Sequence, residues 1–291
     1  MNVGMLGEGT SGWFAANTAS FKQEADKRGI SFTYVDSQNS FENQISALKT
    51  FIADTHINVI VLLPTQPLGY DEELRAARAA GKIVVVEGSR VDADAGLYYT
   101  YAGPDFVAQG AKAATAMCLA LKGSPSKHVV EITGNPGDLD TIDRSKGFRQ
   151  QMGDCGIDIL ESQVATNSDP GIAKSIMQGY VKTHAGQVQG VVLQSDNTAA
   201  SVIGVIDGSG LKSGKDIKLV GFDLTPNGIR YLITGQLYAD VDSTPLLAPL
   251  VYEAALRGLN GDSTTPKWIA PTDEVYYTGH VPDCLAGCPK Y

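Results

Sequence analysis

Asn2-Val3-Gly4-Met5-Leu6-Gly7-Glu8-Gly9-Thr10-Ser11-Gly12-Trp13-Phe14 is the stretch that decides the fold. Its first residues, Asn2 to Leu6, read as a short buried strand. A glycine-rich turn follows, and Trp13-Phe14 opens a helix. In an α/β sheet such a turn lies at the carboxyl end of the first strand, where ligands bind. The turn either grips a phosphate with its backbone or holds a small polar ligand against two rings.

Outward from that turn, strand and helix alternate. Strands are predicted at 31–36, 58–63 and 82–87. Between them Ile45, Leu48 and Ile52 recur at i, i+3 and i+7, one face of a helix. Apolar strands alternating with helices predict a parallel sheet covered on both faces. At 97–102 the pattern changes to an aromatic strand, which Gly103-Pro104-Asp105 breaks. A helix carrying Ala108, Ala111, Ala114 and Met117 leads into a second alternation. Its strands are predicted at 128–132, 158–164, 189–193, 218–222 and 238–241, its helices at 143–152, 172–182, 199–206 and 227–233. A helix with Leu247, Leu250, Tyr252 and Leu256 follows, and the stretch 268–281 holds one more strand, at 275–277. The fold class is α/β, with two similar doubly wound parallel-sheet lobes.

The chain has 291 residues, 43% of them hydrophobic, and a formal charge of −9. That acidity argues against nucleic acid and anionic membranes as partners. The longest apolar run, 59–63, is strand-sized. The sequence starts directly in a core strand, which fits a cytosolic protein or a secreted one whose signal peptide is removed, and the cysteines lean toward the second. Cys284 and Cys288, four apart in a Gly/Pro-containing tail, are expected to close a small disulfide loop outside the cytoplasm. Zinc is the weaker reading there, since no His or further Cys lies nearby. Cys118 and Cys155 read equally as a second pair or as small buried apolar residues.

The opening turn matches G-x-G-x-x-G, and Asp36 stands where a ribose-binding acid would. This is the dinucleotide reading, and with it an NAD(P)-dependent oxidoreductase. Against it, two large rings crowd the close backbone approach that a phosphate needs, and they suit a stacking platform better. The plainer alternative makes the rings core. The four histidines are scattered, and neither a G-x-S-x-G elbow nor a Walker phosphate loop occurs. No catalytic group, metal or cofactor is expected. What remains is a set of polar residues at predicted strand ends: Glu87-Gly88-Ser89-Arg90, Asp140-Thr141-Ile142-Asp143-Arg144, Ser195-Asp196-Asn197 and Asp223. Carboxylates that accept from hydroxyls, a guanidinium fork and aromatic faces describe carbohydrate binding. Helix capping is the alternative for Asp143, Asp196 and Asn197. Arg144 and Asp223 cap nothing obvious.

These residues, with Ala16-Asn17-Thr18, Glu42-Asn43-Gln44-Ile45, Ala102-Gly103-Pro104-Asp105-Phe106-Val107, Ile142-Asp143-Arg144-Ser145-Lys146-Gly147-Phe148, Gly214-Lys215-Asp216-Ile217, Thr244-Pro245-Leu246-Leu247 and Pro266-Lys267-Trp268-Ile269, carry a resemblance across almost the whole chain. The chain resembles periplasmic sugar-binding proteins of the type I, ribose-binding-protein-like family, in particular the galactofuranose-binding branch. The resemblance implies two lobes joined by three crossings, 1–102 with 245–268 and 103–244 with 269–291. It implies a monosaccharide or polyol in an interlobe cleft, no chemistry, and delivery to the membrane permease of an ABC importer. It also implies a periplasmic or extracellular monomer that binds no nucleic acid. The family's ligand positions fall at Ser11, Trp13, Phe14, Arg144, Ser195, Asp223 and Ser243, and Asp143 and Asn167 are further candidate ligand contacts. Phe14 stands where the branch has Arg, Ser195 where the family has Asn, and Gly88-Ser89 where Asp-Arg follows the fourth strand. Glu87 and Arg90 flank that gap and are expected to substitute. With those polar groups changed, the expected ligand is a sugar or polyol other than galactofuranose. The effector half of a transcription regulator shares this architecture and needs a helix-turn-helix upstream.

Overall fold

The computed structural model describes residues 1–9, 12–184 and 186–280. In chain order it runs β1 (Asn2–Gly7), α1 (Gly12–Arg28), β2 (Ser31–Asp36), α2 (Phe41–Ala53), β3 (Val59–Leu62), α3 (Asp71–Ala79), β4 (Ile83–Glu87) and β5 (Thr100–Ala102). Next come α4 (Phe106–Ala120), β6 (His128–Thr133), α5 (Leu139–Met152), β7 (Asp158–Val164), α6 (Pro170–Thr183) and β8 (Gly190–Leu193). Then follow α7 (Ala199–Gly208), β9 (Lys218–Asp223), α8 (Pro226–Ile233) and β10 (Ala239–Asp242). The chain ends its described part with α9 (Ala248–Leu259), β11 (Trp268–Ile269) and β12 (Val275–Tyr277).

The chain divides into two compact lobes, Met1–Pro104 with Pro245–Thr272, and Asp105–Thr244 with Asp273–Tyr291. The divisions at Pro104 and Thr272 fall later than the expected 102 and 268. The reason is β11, a two-residue strand too short to show any alternation in sequence. It pairs in parallel with β5, and Gly103 N–H donates to Ile269 O at 3.1 Å, which keeps both in the first lobe.

The first sheet has the order β2-β1-β3-β4-β5-β11 and is parallel throughout. The second has the order β7-β6-β8-β9-β10-β12, parallel except for β12, which runs antiparallel to β10 at the edge. Side chains on one strand alternate between faces. In the first lobe Val3, Met5, Val59, Val61 and Val85 meet Phe21 and Ala25 of α1 and Val251, Tyr252 and Ala255 of α9. On the other face Leu6, Ile60, Leu62, Val84 and Val86 meet Leu48 and Phe51 of α2 and Leu74 and Ala77 of α3. The second lobe repeats the scheme, with α6, α7 and α8 on one face and α4 and α5 on the other. In each sheet the order reverses beside the first strand, β1 or β6. That is the switch point at whose carboxyl end α/β sheets place ligands.

Helices α4 and α5 touch backbone to backbone. A Cβ on Gly110 would stand 2.0 Å from Arg144 O, and one on Gly147 would stand 1.9 Å from Val107 O. The same pair is stapled covalently: Cys118 of α4 forms a disulfide with Cys155, just beyond α5, with Cα atoms 5.8 Å apart. This settles the open reading of those two cysteines in favour of pairing. Cys284 and Cys288 lie outside the described residues. No helix among the described residues is long and apolar enough to cross a membrane.

Candidate functional site

In the first lobe the opening turn is braced from within. Asp36 Oδ1 accepts from Gly9 N–H at 3.0 Å and from Gln38 N–H at 2.8 Å, and Tyr34 OH donates to Gly9 O at 3.2 Å. The acid considered for a ribose is thus occupied in holding the turn. Trp13 and Phe14 open α1 edge to face, 5.6 Å apart, and both are half-buried. A Cβ on Gly88 would stand 3.3 Å from the Trp13 ring, so the glycine after β4 is what lets that ring lie over the strand end. Ser11 lies outside the described residues. Ser89 and Arg90 are half-buried beside Gly88.

Glu87 differs from expectation. It is 0% exposed and sits beneath the strand ends. Asn17 Nδ2 donates to Glu87 Oε2 at 3.3 Å and to Pro245 O at 3.1 Å, which ties α1, β4 and the segment before α9 together. Burial pushes the Glu87 carboxyl up to about 8, with Asn17 acting against the shift. At neutral pH Glu87 is therefore a neutral acid. It does not present a carboxylate in the manner of the family's Asp.

The second lobe builds its part around Arg144. This residue points from the second turn of α5 toward the strand ends and is 7% exposed. Nε donates to Gln109 Oε1 at 3.0 Å, Nη1 to Gln194 O at 2.9 Å and Nη2 to Asp223 Oδ1 at 3.4 Å. Phe106 and Phe222 sandwich the guanidinium, with ring centroids 5.2 Å and 4.6 Å away. Such stacking suits a flat, weakly hydrated cation. Asp223 ends β9 with φ 95° and also receives the Ser195 hydroxyl. Burial raises the Asp223 carboxyl, and Arg144 and Ser195 oppose that rise.

Residues beneath fix this arrangement. Gln109 donates to Asp242 O at 3.2 Å and to Asp273 Oδ2 at 3.0 Å, so its carbonyl oxygen is left aimed at Arg144. Gln194 donates to buried Glu131 and to Ser145, and Glu131 is held further by Arg149 and Ser162. Ser243 is buried and Asp143 half-buried. Asn167 is exposed, with φ 54°, and exchanges hydrogen bonds with Asn135. The structure thus joins Arg144, Ser195 and Asp223 directly, and sets Asn167 apart at the β7 edge. Helix capping does not account for the acids: Ser195 caps the short turn 196–198, Asp196 is buried inside it and Asn197 is exposed. Gln109, Gln194, Phe106 and Phe222 were not expected. Phe222 alone had a signal, its place beside Asp223 in the Gly-Phe-Asp turn.

Comparison with known proteins extends the geometry. The model of the periplasmic binding protein domain matches residues 3–263. The galactofuranose-binding protein YtfQ of Escherichia coli K12 is 31% identical over 92% of this chain and 84% of its own length. A crystal structure from Mycobacterium smegmatis in complex with β-D-fucofuranose is 28% identical, covers 99% of this chain and 94% of that one, and has a TM-score of 0.89. The periplasmic binding protein of the arabinose ABC transporter of Shewanella sp. ANA-3, bound to α- and β-L-arabinofuranose, is 29% identical, covers 98% and 93%, and has a TM-score of 0.88. The named relatives are sugar-binding proteins, one of them a component of an ABC transporter, and neither the oxidoreductase nor the regulator reading finds support among them. The chain belongs to the periplasmic binding protein family, with two type I α/β lobes.

Proposed function

We propose that this protein is the solute-binding component of a carbohydrate ABC importer, outside the cytoplasm, and that it hands an unaltered monosaccharide to a membrane permease. The observation that carries the reading is Arg144: a guanidinium packed between two rings and fixed by Gln109, Gln194 and Asp223 at the carboxyl end of a parallel sheet. A neutral hydroxyl both donates and accepts, so it can lie between an N–H and a carboxylate. Arg144 and Asp223 offer that combination, already oriented. In the first lobe the proposed sugar contacts are Ser11, Trp13, Phe14, Ser89 and Arg90, with the rings covering C–H faces. In the second they are Asp143, Arg144, Asn167, Ser195, Asp223 and Ser243. Glu87, fully buried and bonded to Asn17, is not among them.

The relatives above bind galactofuranose, fucofuranose and arabinofuranose. That shared five-membered ring makes a furanose the first ligand class to test. Phe14, Gly88 and Ser89 in place of charged family residues argue for a sugar less hydroxylated than galactofuranose. Isothermal titration with L-arabinose, D-fucose, D-galactose, D-ribose and myo-inositol tests the reading. Saturable binding of at least one sugar is expected, with D-galactose weaker than D-fucose or L-arabinose. Heat-silent titrations with all five, together with no protection by any of them in limited proteolysis, would contradict it.

A further inference from the structure

Two acids at the carboxyl end of the second sheet have no part in the ligand set above. Asp196, in the turn after β8, is 2% exposed, and Asp240, within β10, is 0% exposed. Glycines make their room. A Cβ on Gly221 of β9 would stand 2.6 Å from Asp196 Oδ1. One on Gly228 of α8 would stand 2.1 Å from Asp196 Oδ2 and 2.4 Å from Asp240 Oδ2. The two carboxyls are immediate neighbours, since one Cβ position on Gly228 would touch both. Two carboxylates only accept, so a hydrogen bond between these buried neighbours needs a proton on one of them. Among the described residues no N–H or hydroxyl donor reaches Asp196 Oδ1 or Asp240 Oδ2.

The remaining partners divide charge from proton. Asp196 Oδ2 accepts from Thr225 N–H at 2.9 Å and from Thr225 Oγ1 at 3.1 Å. Asp240 Oδ1 accepts a longer bond from Leu224 N–H, at 3.3 Å. The better-solvated Asp196 carries the charge and Asp240 the proton. All three donors belong to the segment that follows Asp223. Asp223 and Leu224 both have left-handed backbones, φ 95° and 51°, which favour glycine and which neither residue adopts unaided.

We propose that Asp196 and Asp240 share one proton and pin the left-handed turn at Asp223–Leu224, which makes both of them positioning residues for the Asp223 carboxylate. The link from that turn to sugar affinity rests on the function proposed above. Other charges face the pair. Asp223 on β9 adds negative potential to both acids, while Arg144 and Asp140 of α5 act on Asp223 itself, with opposite signs. Asp242 lies two residues along β10, and Tyr276 of β12 stands in register with Asp240. Burial raises both acids, Asp240 well above the ordinary carboxylate range. The folded pair thus holds a proton that the unfolded chain sheds near pH 4. Its contribution to stability falls as pH rises and is lost once the shared proton leaves.

The test is made on ligand-free protein carrying E87Q, which removes the neutral carboxyl of Glu87 from the spectrum. Infrared spectra at neutral pH are expected to show the carbonyl band of a buried protonated carboxyl, and D240N is expected to abolish it while keeping the native circular dichroism. D240N also flattens the fall of thermal midpoint with rising pH. Hydrogen–deuterium exchange across 221–228 rises at least tenfold in D196A and stays native in D240N. Should D196A fail to fold, D240A reads the same peptide through the lost Leu224 acceptor. A band that survives in D240N, or native exchange in D196A or its replacement, would overturn the proposal. These readouts need no sugar, so a failure of every sugar to bind would strike the proposed function and leave the acid pair standing.

Discussion

A guanidinium fixed by two rings and three acceptors cannot be replaced by an ammonium. Lysine keeps the charge at position 144 but has no plane to stack on Phe106 and Phe222 and no fork to span Gln109, Gln194 and Asp223. R144K is expected to fold and to bind sugar at least tenfold more weakly, about 1.4 kcal/mol or more by titration calorimetry. Native affinity in R144K would remove the fork from recognition. Glu87 gives a second prediction at this scale. Unfolded glutamate titrates near 4.3, while the folded carboxyl titrates at about 8. Between those values the folded protein holds a proton that the unfolded chain has lost, so stability falls as pH rises and levels off above the folded value. E87Q should remove that slope, gaining on the wild type by on the order of a few kcal/mol between pH ~5 and ~8.5. Parallel urea midpoints across that range would show Glu87 to be charged. Residue by residue, Arg144 and Asp223 stood out because a charged residue at a predicted strand end or helix start has few structural duties, and the structure bonds the two to each other. The burial of Glu87 was not foreseen because sequence does not tell the last buried strand residue from the first exposed loop residue. Gln109 and Gln194 could not be found: a buried glutamine acquires its meaning from partners distant in sequence.

Helix α5 delivers Arg144, and its own position is set by glycine. Gly110 and Gly147 each face the other helix's carbonyl oxygen, with no flexible side chain between to give way. G147A is therefore expected to cost about 3 kcal/mol, the upper end of overpacking, and to weaken sugar binding by displacing Arg144. G153A, on the same chain just past α5, has open space around its Cβ and serves as the control. Equal urea midpoints for the two variants would mean that the helices separate without cost. Apolar runs made the parallel strands legible, and regular spacing did the same for α2. One element escaped and another was drawn too long. β11 has two residues and no periodicity to read. Strand β5 is three residues long, Thr100–Ala102, where an aromatic run from 97 suggested more. Tyr99 N–H already donates to Val84 O of β4 at 2.8 Å, and its hydroxyl donates to Asp262 O at 2.8 Å. The aromatic run thus overstated the length of the strand without misplacing it.

At the scale of the molecule, two lobes of one architecture are each closed around their own core, and the chain passes between them after Pro104, Thr244 and Thr272. The second lobe alone carries the Cys118–Cys155 disulfide, which spans 37 residues. Loop-closure entropy gives such a link about 3–4 kcal/mol. Reduction, or the double variant C118A/C155A, should lower the unfolding free energy of the second lobe by that amount and leave the first lobe unchanged, as read by lobe-resolved hydrogen exchange. A disulfide there fits a receptor that works in an oxidising compartment. The two-lobe plan was legible because its signal is repetition, which survives errors at individual strand ends. The pairing of Cys118 with Cys155 was not, because their approach depends on how α4 meets α5. The proposed function has the protein bind a neutral sugar through Arg144. A thermal-shift assay of wild type and R144A against L-arabinose, D-fucose and D-galactose tests it most directly. A ligand at about 100 times its Kd adds about 2.7 kcal/mol, a rise of roughly 5 °C for a lobe of this size. The account predicts that rise with at least one sugar for the wild type and none for folded R144A; an equal rise in both proteins, or none in the wild type with any of the three, would contradict it.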